Sequence, residues 1–115
     1  MSIKRTDTGP ILSKMVETDD VVYLAGLTAD DEKKDVAGQT KEILAKIDSY
    51  LAKAGTDKTK LLSANIWLSK LSLKPQMNEV WTKWIDPKNP PARACVGAEL
   101  GGNVLVEIMV TAKKR

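Results

Sequence analysis

The chain has 115 residues, 43% hydrophobic and 29% charged, with 18 basic and 15 acidic side chains for a net charge of +3. It has no histidine and one cysteine, which excludes Ser-His-Asp and Cys-His catalysis, His-ligated zinc and an intrachain disulfide. The weak, interspersed charge leaves no footprint for nucleic acid, and no apolar run reaches the ~20 residues of a membrane span.

Residues 1–10 are polar and lack the apolar core of a signal peptide. With a cysteine count that suits a reducing compartment, the expectation is one cytoplasmic domain over 1–115, with no metal and no cofactor. Residues 11–18 alternate loosely before Asp19-Asp20 turns the chain, and residues 21–25 (VVYLA) form a short apolar run ending at Gly26. Together they predict a hairpin. The polar stretch 28–34 reads as a loop. From Asp35 to Ala54 the positions Val36, Thr40, Ile43, Leu44, Ile47 and Leu51 keep helical spacing. Asp35 is the expected N-cap, Gly55 the stop, and Glu42 with Lys46 an exposed i,i+4 pair.

Residues 61–71 predict a strand, and residues 74–85 a second helix with Met77, Val80, Trp81 and Trp84 on one face. Asp86-Pro87 and Asn89-Pro90-Pro91 end that helix. Two strands, 92–100 and 103–112, follow around Gly101-Gly102-Asn103. The order β-β-α-β-α-β-β gives an α+β fold, a mixed β-sheet with two helices packed on one face. Residues 104–110 (VLVEIMV) are apolar on both faces except at Glu107. One face packs under the helices and the other needs a cover that no third helix supplies, so a homo-oligomer is expected.

Chemistry concentrates at two charges. The chain has 15 Lys and three Arg, and Arg93 alone lies inside an apolar strand, in PPARACVGAEL. A guanidinium there can grip a carboxylate through two parallel hydrogen bonds, or form a structural ion pair with Glu99 or Glu107; the residues leave both open. Glu107, the one charge in its apolar stretch, is expected to be partly buried, either with a tuned acidity or at the wet margin of the sheet. A three-residue Gly101–Asn103 loop, with Asn103 in the left-handed conformation, sets Arg93, Cys95, Gly97 and Glu107 on one face. A two-residue Gly-Gly loop pairs Val96 with Glu107 and sends Glu107 to the other face. Cys95 reads as a small buried hydrophobe, Trp81 and Trp84 as core, and the lysines as solvated surface.

At PPARACVGAEL followed by VLVEIMV the sequence resembles the RidA (YjgF-type) family of imine/enamine deaminases. The resemblance extends over VVYLAGLTAD, the AGQTKEILAKIDSYLAKAG helix and the MNEVW segment. It implies a chorismate-mutase-like fold, homotrimers with a ligand cleft between adjacent subunits, and hydrolysis of reactive 2-imino acids to 2-keto acids and ammonia. On that resemblance Arg93 binds the substrate carboxylate, Cys95 lines the site through its backbone N–H, and Glu107 holds and polarises water or relays a proton. Gly26 from the facing subunit offers its carbonyl to the imine nitrogen, and Asn78 occupies the family asparagine position with a structural role. Two positions depart from the pattern: Ile11 stands where the family carries a tyrosine, and Ala25 where Ser or Thr is common. Competing readings are a keto-acid-binding trimer without turnover and RNA cleavage. The second has no basic stripe, exposed aromatic platform or histidine behind it. A chorismate-mutase-like rearrangement rests on fold analogy alone.

Overall fold

The apolar positions that recur every three to four residues after Asp35 lie on one side of helix α1 (Val36–Lys53). In the computed structural model, which describes residues 2–114, the Asp35 carboxylate accepts the Gly38 N–H at 2.8 Å and caps the helix. At its other end Gly55, at φ 78°, lets the N–H groups of Gly55 and Thr56 return to the carbonyls of Ala52 and Leu51. Helix α2 (Lys74–Trp84) carries Pro75 in its first turn, where no N–H is needed, and buries Met77 and Trp81.

Six strands form one sheet: β1 (Lys4–Thr8), β2 (Ser13–Glu17), β3 (Val21–Leu24), β4 (Leu61–Leu68), β5 (Ala92–Gly97) and β6 (Val106–Lys113). Their order is β1-β2-β3-β6-β4-β5, with every neighbouring pair antiparallel except β4 and β5. Met15, Val22, Leu24, Ala64, Ile66, Leu68, Val106, Ile108, Val110 and Ala112 are buried and make a single core with the apolar stripes of both helices. The opposite face carries Val16, Tyr23, Trp67, Val96, Met109 and Thr111, none of them buried. Tyr23 and Val96 are about half exposed, 47% and 48%.

The α+β class, the two helices on one face and the uncovered second face agree with the expectation from sequence. The order gains a strand: β1 has the sequence KRTDT, with no apolar residue, and pairs with β2 through its backbone and one side-chain hydrogen bond, between Thr8 Oγ1 and Ser13 Oγ at 2.9 Å. The β5–β6 hairpin does not form. β4 lies between these strands, parallel to β5 and antiparallel to β6. The cause is the helix between β4 and β5, since a strand–helix–strand connection returns the chain parallel to its starting strand. Residues 98–105 are a loop crossing to the far side of β4. Its left-handed residues are Gly101 (φ 78°) and Gly102 (φ 51°), not Asn103.

With the hairpin goes the register drawn from it. Arg93, Cys95 and Gly97 align with Ala64, Ile66 and Leu68 on the helix face, whereas Glu107 aligns with Trp67 on the open face. Gly97 does not face Glu107. The row that holds Glu107 runs through Trp67 to Val96, so Arg93 and Glu107 lie on opposite sides of the sheet.

Candidate functional site

β5 is an edge strand, and its alternation decides what it offers. The Ala98 N–H is bonded to Leu68 O at 2.9 Å. The two-residue period therefore turns the backbone groups of Arg93, Cys95 and Gly97 outward along the free edge. The Arg93 side chain rises on the helix side and meets α2. Its Nη1 donates to Asn78 Oδ1 at 2.8 Å, and its guanidinium carbon lies 5.4 Å from the centroid of the Trp81 ring. Asn78 and Trp81 are three residues apart on α2 and so share a helix face. Arg93 is exposed. Neither Glu99 nor Glu107 pairs with it, and among the described residues no ion pair involves it. Cys95, two residues on, is half-buried and packs against the core.

The second cluster sits on the open face. Leu27 and Ile108 exchange both backbone hydrogen bonds, at 2.9 and 3.1 Å, which seats Gly26 against Glu107. A Cβ on Gly26 would collide with the Glu107 carboxylate and stand 3.1 Å from its Cδ. Only a glycine leaves the half-buried carboxylate where it is. Gly26 and Glu107 thus belong together within one chain, whereas the resemblance set Gly26 apart on a facing subunit. Ala25 extends the β2–β3 ladder by donating its N–H to Lys14 O at 2.9 Å. Ile11, at the β1–β2 turn, is 91% exposed.

Of the residues singled out from sequence, Arg93, Asn78 and Cys95 lie on the helix-side edge and Glu107 with Gly26 on the open face. Glu107 is two strands from β5, roughly 10 Å at the usual strand spacing, with the sheet between it and the Arg93 side chain. Trp81 was read as core, and it is buried, yet it also carries the guanidinium. The signal for this was the three-residue spacing from Asn78. Near the start of α1, Lys46 beside Asp30 and the Asp30 N–H beside Glu42 hold both carboxyls below their usual range. A groove of about 550 Å³ between α1 and α2 includes neither Arg93 nor Glu107 in its lining. Among the described residues no three His, Cys, Asp or Glu side chains cluster to hold a metal ion, and no helix is long and apolar enough to cross a membrane.

The profile of the family described as "Endoribonuclease L-PSP" matches residues 4–114. A RutC family protein from Haemophilus ducreyi is 39% identical over 111 residues, covering 96% of this chain and 95% of the relative. A 3-aminoacrylate deaminase RutC from Acinetobacter baylyi is 31% identical over 99 residues, 80% of this chain and 78% of the relative. The crystal structure of a member of the YjgF protein family from Neisseria meningitidis superposes with a TM-score of 0.95 at 38% identity, over 100% of this chain and 97% of that one.

Proposed function

Because this chain belongs to the endoribonuclease L-PSP (YjgF/RidA) family, we propose that it hydrolyses reactive 2-imino and enamine acids to 2-keto acids and ammonia. The observation that carries this reading is Arg93: an exposed guanidinium held by Asn78 and Trp81, with no carboxylate among the described residues as partner. A cation placed that way can receive a substrate carboxylate through two parallel hydrogen bonds. The relative named as a 3-aminoacrylate deaminase supports the enamine class.

The reaction needs little machinery. Water adds to the imine carbon as Glu107 takes one of its protons and hands it to the imine nitrogen. The resulting carbinolamine passes a proton to nitrogen, the C–N bond breaks, and ammonia leaves the keto acid. Arg93 fixes the carboxylate, the outward Cys95 N–H lines the same edge, and the Gly26 carbonyl accepts from the imine N–H. Positioning of this kind supplies much of the rate for an already electrophilic carbon. No step calls for histidine.

Arg93 and Glu107 act together only across two chains. A second copy seated on the uncovered sheet face brings its β5 edge toward Glu107 and Gly26, in keeping with a homotrimer whose clefts lie between subunits. The half-exposed Tyr23 and Val96 support that cover.

The test couples an amino-acid oxidase, which makes 2-imino acids in situ, to semicarbazide as trap, with several amino-acid side chains compared. The wild type suppresses semicarbazone formation. Arg93→Ala and Glu107→Gln, folded and of wild-type oligomeric state, lose at least 100-fold in that activity. A wild type that leaves the semicarbazone yield unchanged, or an Arg93→Ala variant that keeps full activity, overturns the reading. Binding of a 2-keto acid without suppression would make the chain a binding trimer.

A further inference from the structure

An exposed arginine on an edge strand ordinarily samples many rotamers, and ordering it on ligand binding costs affinity. Arg93 does not start from that state. One side of its guanidinium faces the Trp81 ring at 5.4 Å, within the range of a cation–π contact, and Nη1 is held by Asn78 at 2.8 Å. The ring is itself immobile: Trp81 is buried, with 6% of its surface exposed, and lies 5.4 Å from the Trp84 ring at a 54° tilt. Trp84 in turn donates its indole N–H to Asp48 of α1 at 2.9 Å. A relay of contacts therefore runs from α1 through two indoles to the guanidinium on β5.

We infer that Trp81 is a positioning residue for carboxylate capture: its π face fixes the plane of Arg93, leaving the nitrogens not bound to Asn78 to grip the ligand. The inference rests on the proposed role of Arg93 and adds a residue that makes no contact with substrate. Its effect falls on ligand affinity and KM, not on the chemical step, because the platform is complete before the substrate arrives.

The experiment measures binding of 2-oxobutanoate, a small 2-keto acid of the proposed product class, to the assembled protein by calorimetry, with KM and kcat from the semicarbazide assay alongside. Trp81→Met fills the space without a π face and is expected to weaken binding about tenfold and raise KM to match, with kcat within about threefold. Trp81→Phe restores most of the affinity. Replacing Trp81 site-specifically by a difluorotryptophan keeps shape and volume while draining the negative ring face, and weakens binding about twofold to threefold even if Trp81→Met does not fold. In the Arg93→Ala background the substitutions at Trp81 change nothing further. If Arg93→Ala abolishes binding while the fluorinated protein binds as the wild type does, the platform role is overturned and the role of Arg93 survives. If Arg93→Ala binds the keto acid unimpaired, the underlying functional reading fails instead.

Discussion

Two parts of this fold treat their polar groups in opposite ways. Gln39, on α1, is fully buried, yet both polar atoms of its amide are partnered within the chain: Nε2 donates to the carbonyls of Lys34 and Asn103 at 3.0 Å and Oε1 accepts the Leu105 N–H at 2.9 Å. It fastens the loop before α1 and the loop before β6 to one side chain. Glu32 reinforces the same junction by accepting the Asn103 N–H at 2.9 Å. The region of Arg93 and Glu107 is the reverse. On opposite faces of the sheet, Arg93 is oriented by Asn78 and Trp81 while Glu107 sits against Gly26, and neither has an ion-pair partner among the described residues. Groups that hold a fold together are satisfied inside it, and groups left oriented and open are available to something else. The comparison predicts that substitutions in the first region reduce stability and substitutions in the second reduce function.

The largest expected effect tests the first half. Gln39→Leu keeps the volume but takes the Gln39 amide away from the part-buried Leu105 N–H and the Lys34 and Asn103 carbonyls. At about 1–3 kcal/mol for a buried group left unmade, and less where water can reach it, the loss is about 2–3 kcal/mol, a large share of the stability of a domain this size. Urea unfolding followed by circular dichroism reads it as a lower midpoint. A variant as stable as the wild type would dissolve the contrast.

Gly26→Ala tests the second half and is smaller in stability. The added methyl collides with the Glu107 carboxylate, the far end of a flexible side chain that can swing aside. The expected result is a folded protein within about 1 kcal/mol of the wild type, with the proposed deaminase activity at least tenfold lower, because on that proposal Glu107 holds the water. Equal losses of stability and activity would mean that Gly26 only packs.

Much of this was legible in the chain itself, for reasons that differ by element. The helix after Asp35 declares its cap, stripe and glycine stop locally. Arg93 and Glu107 stand out because a charge in an apolar strand is costly without a purpose. What could not be read was pairing over distance. β1 has no apolar signal, since KRTDT lies on an edge held by backbone bonds. The β5–β6 hairpin looked sound because Gly101-Gly102 is a turn signal, but the helix between β4 and β5 outweighs it and places β4 in between. That one topological step separated Arg93 from Glu107 and joined Glu107 to Gly26. Trp81 was half legible: its burial followed from the helical stripe, and its second role depends on where β5 lands.

The smallest effect sharpens the comparison from a third place, where a polar pair is made inside the chain but near solvent. The Tyr50 hydroxyl on α1 donates to Asp7 Oδ2 at 2.6 Å. Asp7 takes φ 52°, a left-handed conformation that costs most side chains about 1–2 kcal/mol and that Asp tolerates better. If the degree of burial sets the penalty for breaking a polar contact, Tyr50→Phe costs far less than Gln39→Leu, about 0.5 kcal/mol at neutral pH. The contact also carries a pH signature. The hydrogen bond to the Asp7 carboxylate pushes the Tyr50 hydroxyl up from 10.0 to about 12. Between those values the unfolded chain has released the phenolic proton and the folded chain has kept it. Stability from this group therefore falls as pH rises. The advantage of the wild type over Tyr50→Phe is full below pH 10 and gone once pH passes about 12. Comparing the two proteins by urea unfolding at pH 7 and near pH 11 cancels the lysines common to both. A difference that stays constant across that range would mean the hydroxyl contributes by packing alone, and a cost as large as that of Gln39→Leu would remove burial as the reason the two regions differ.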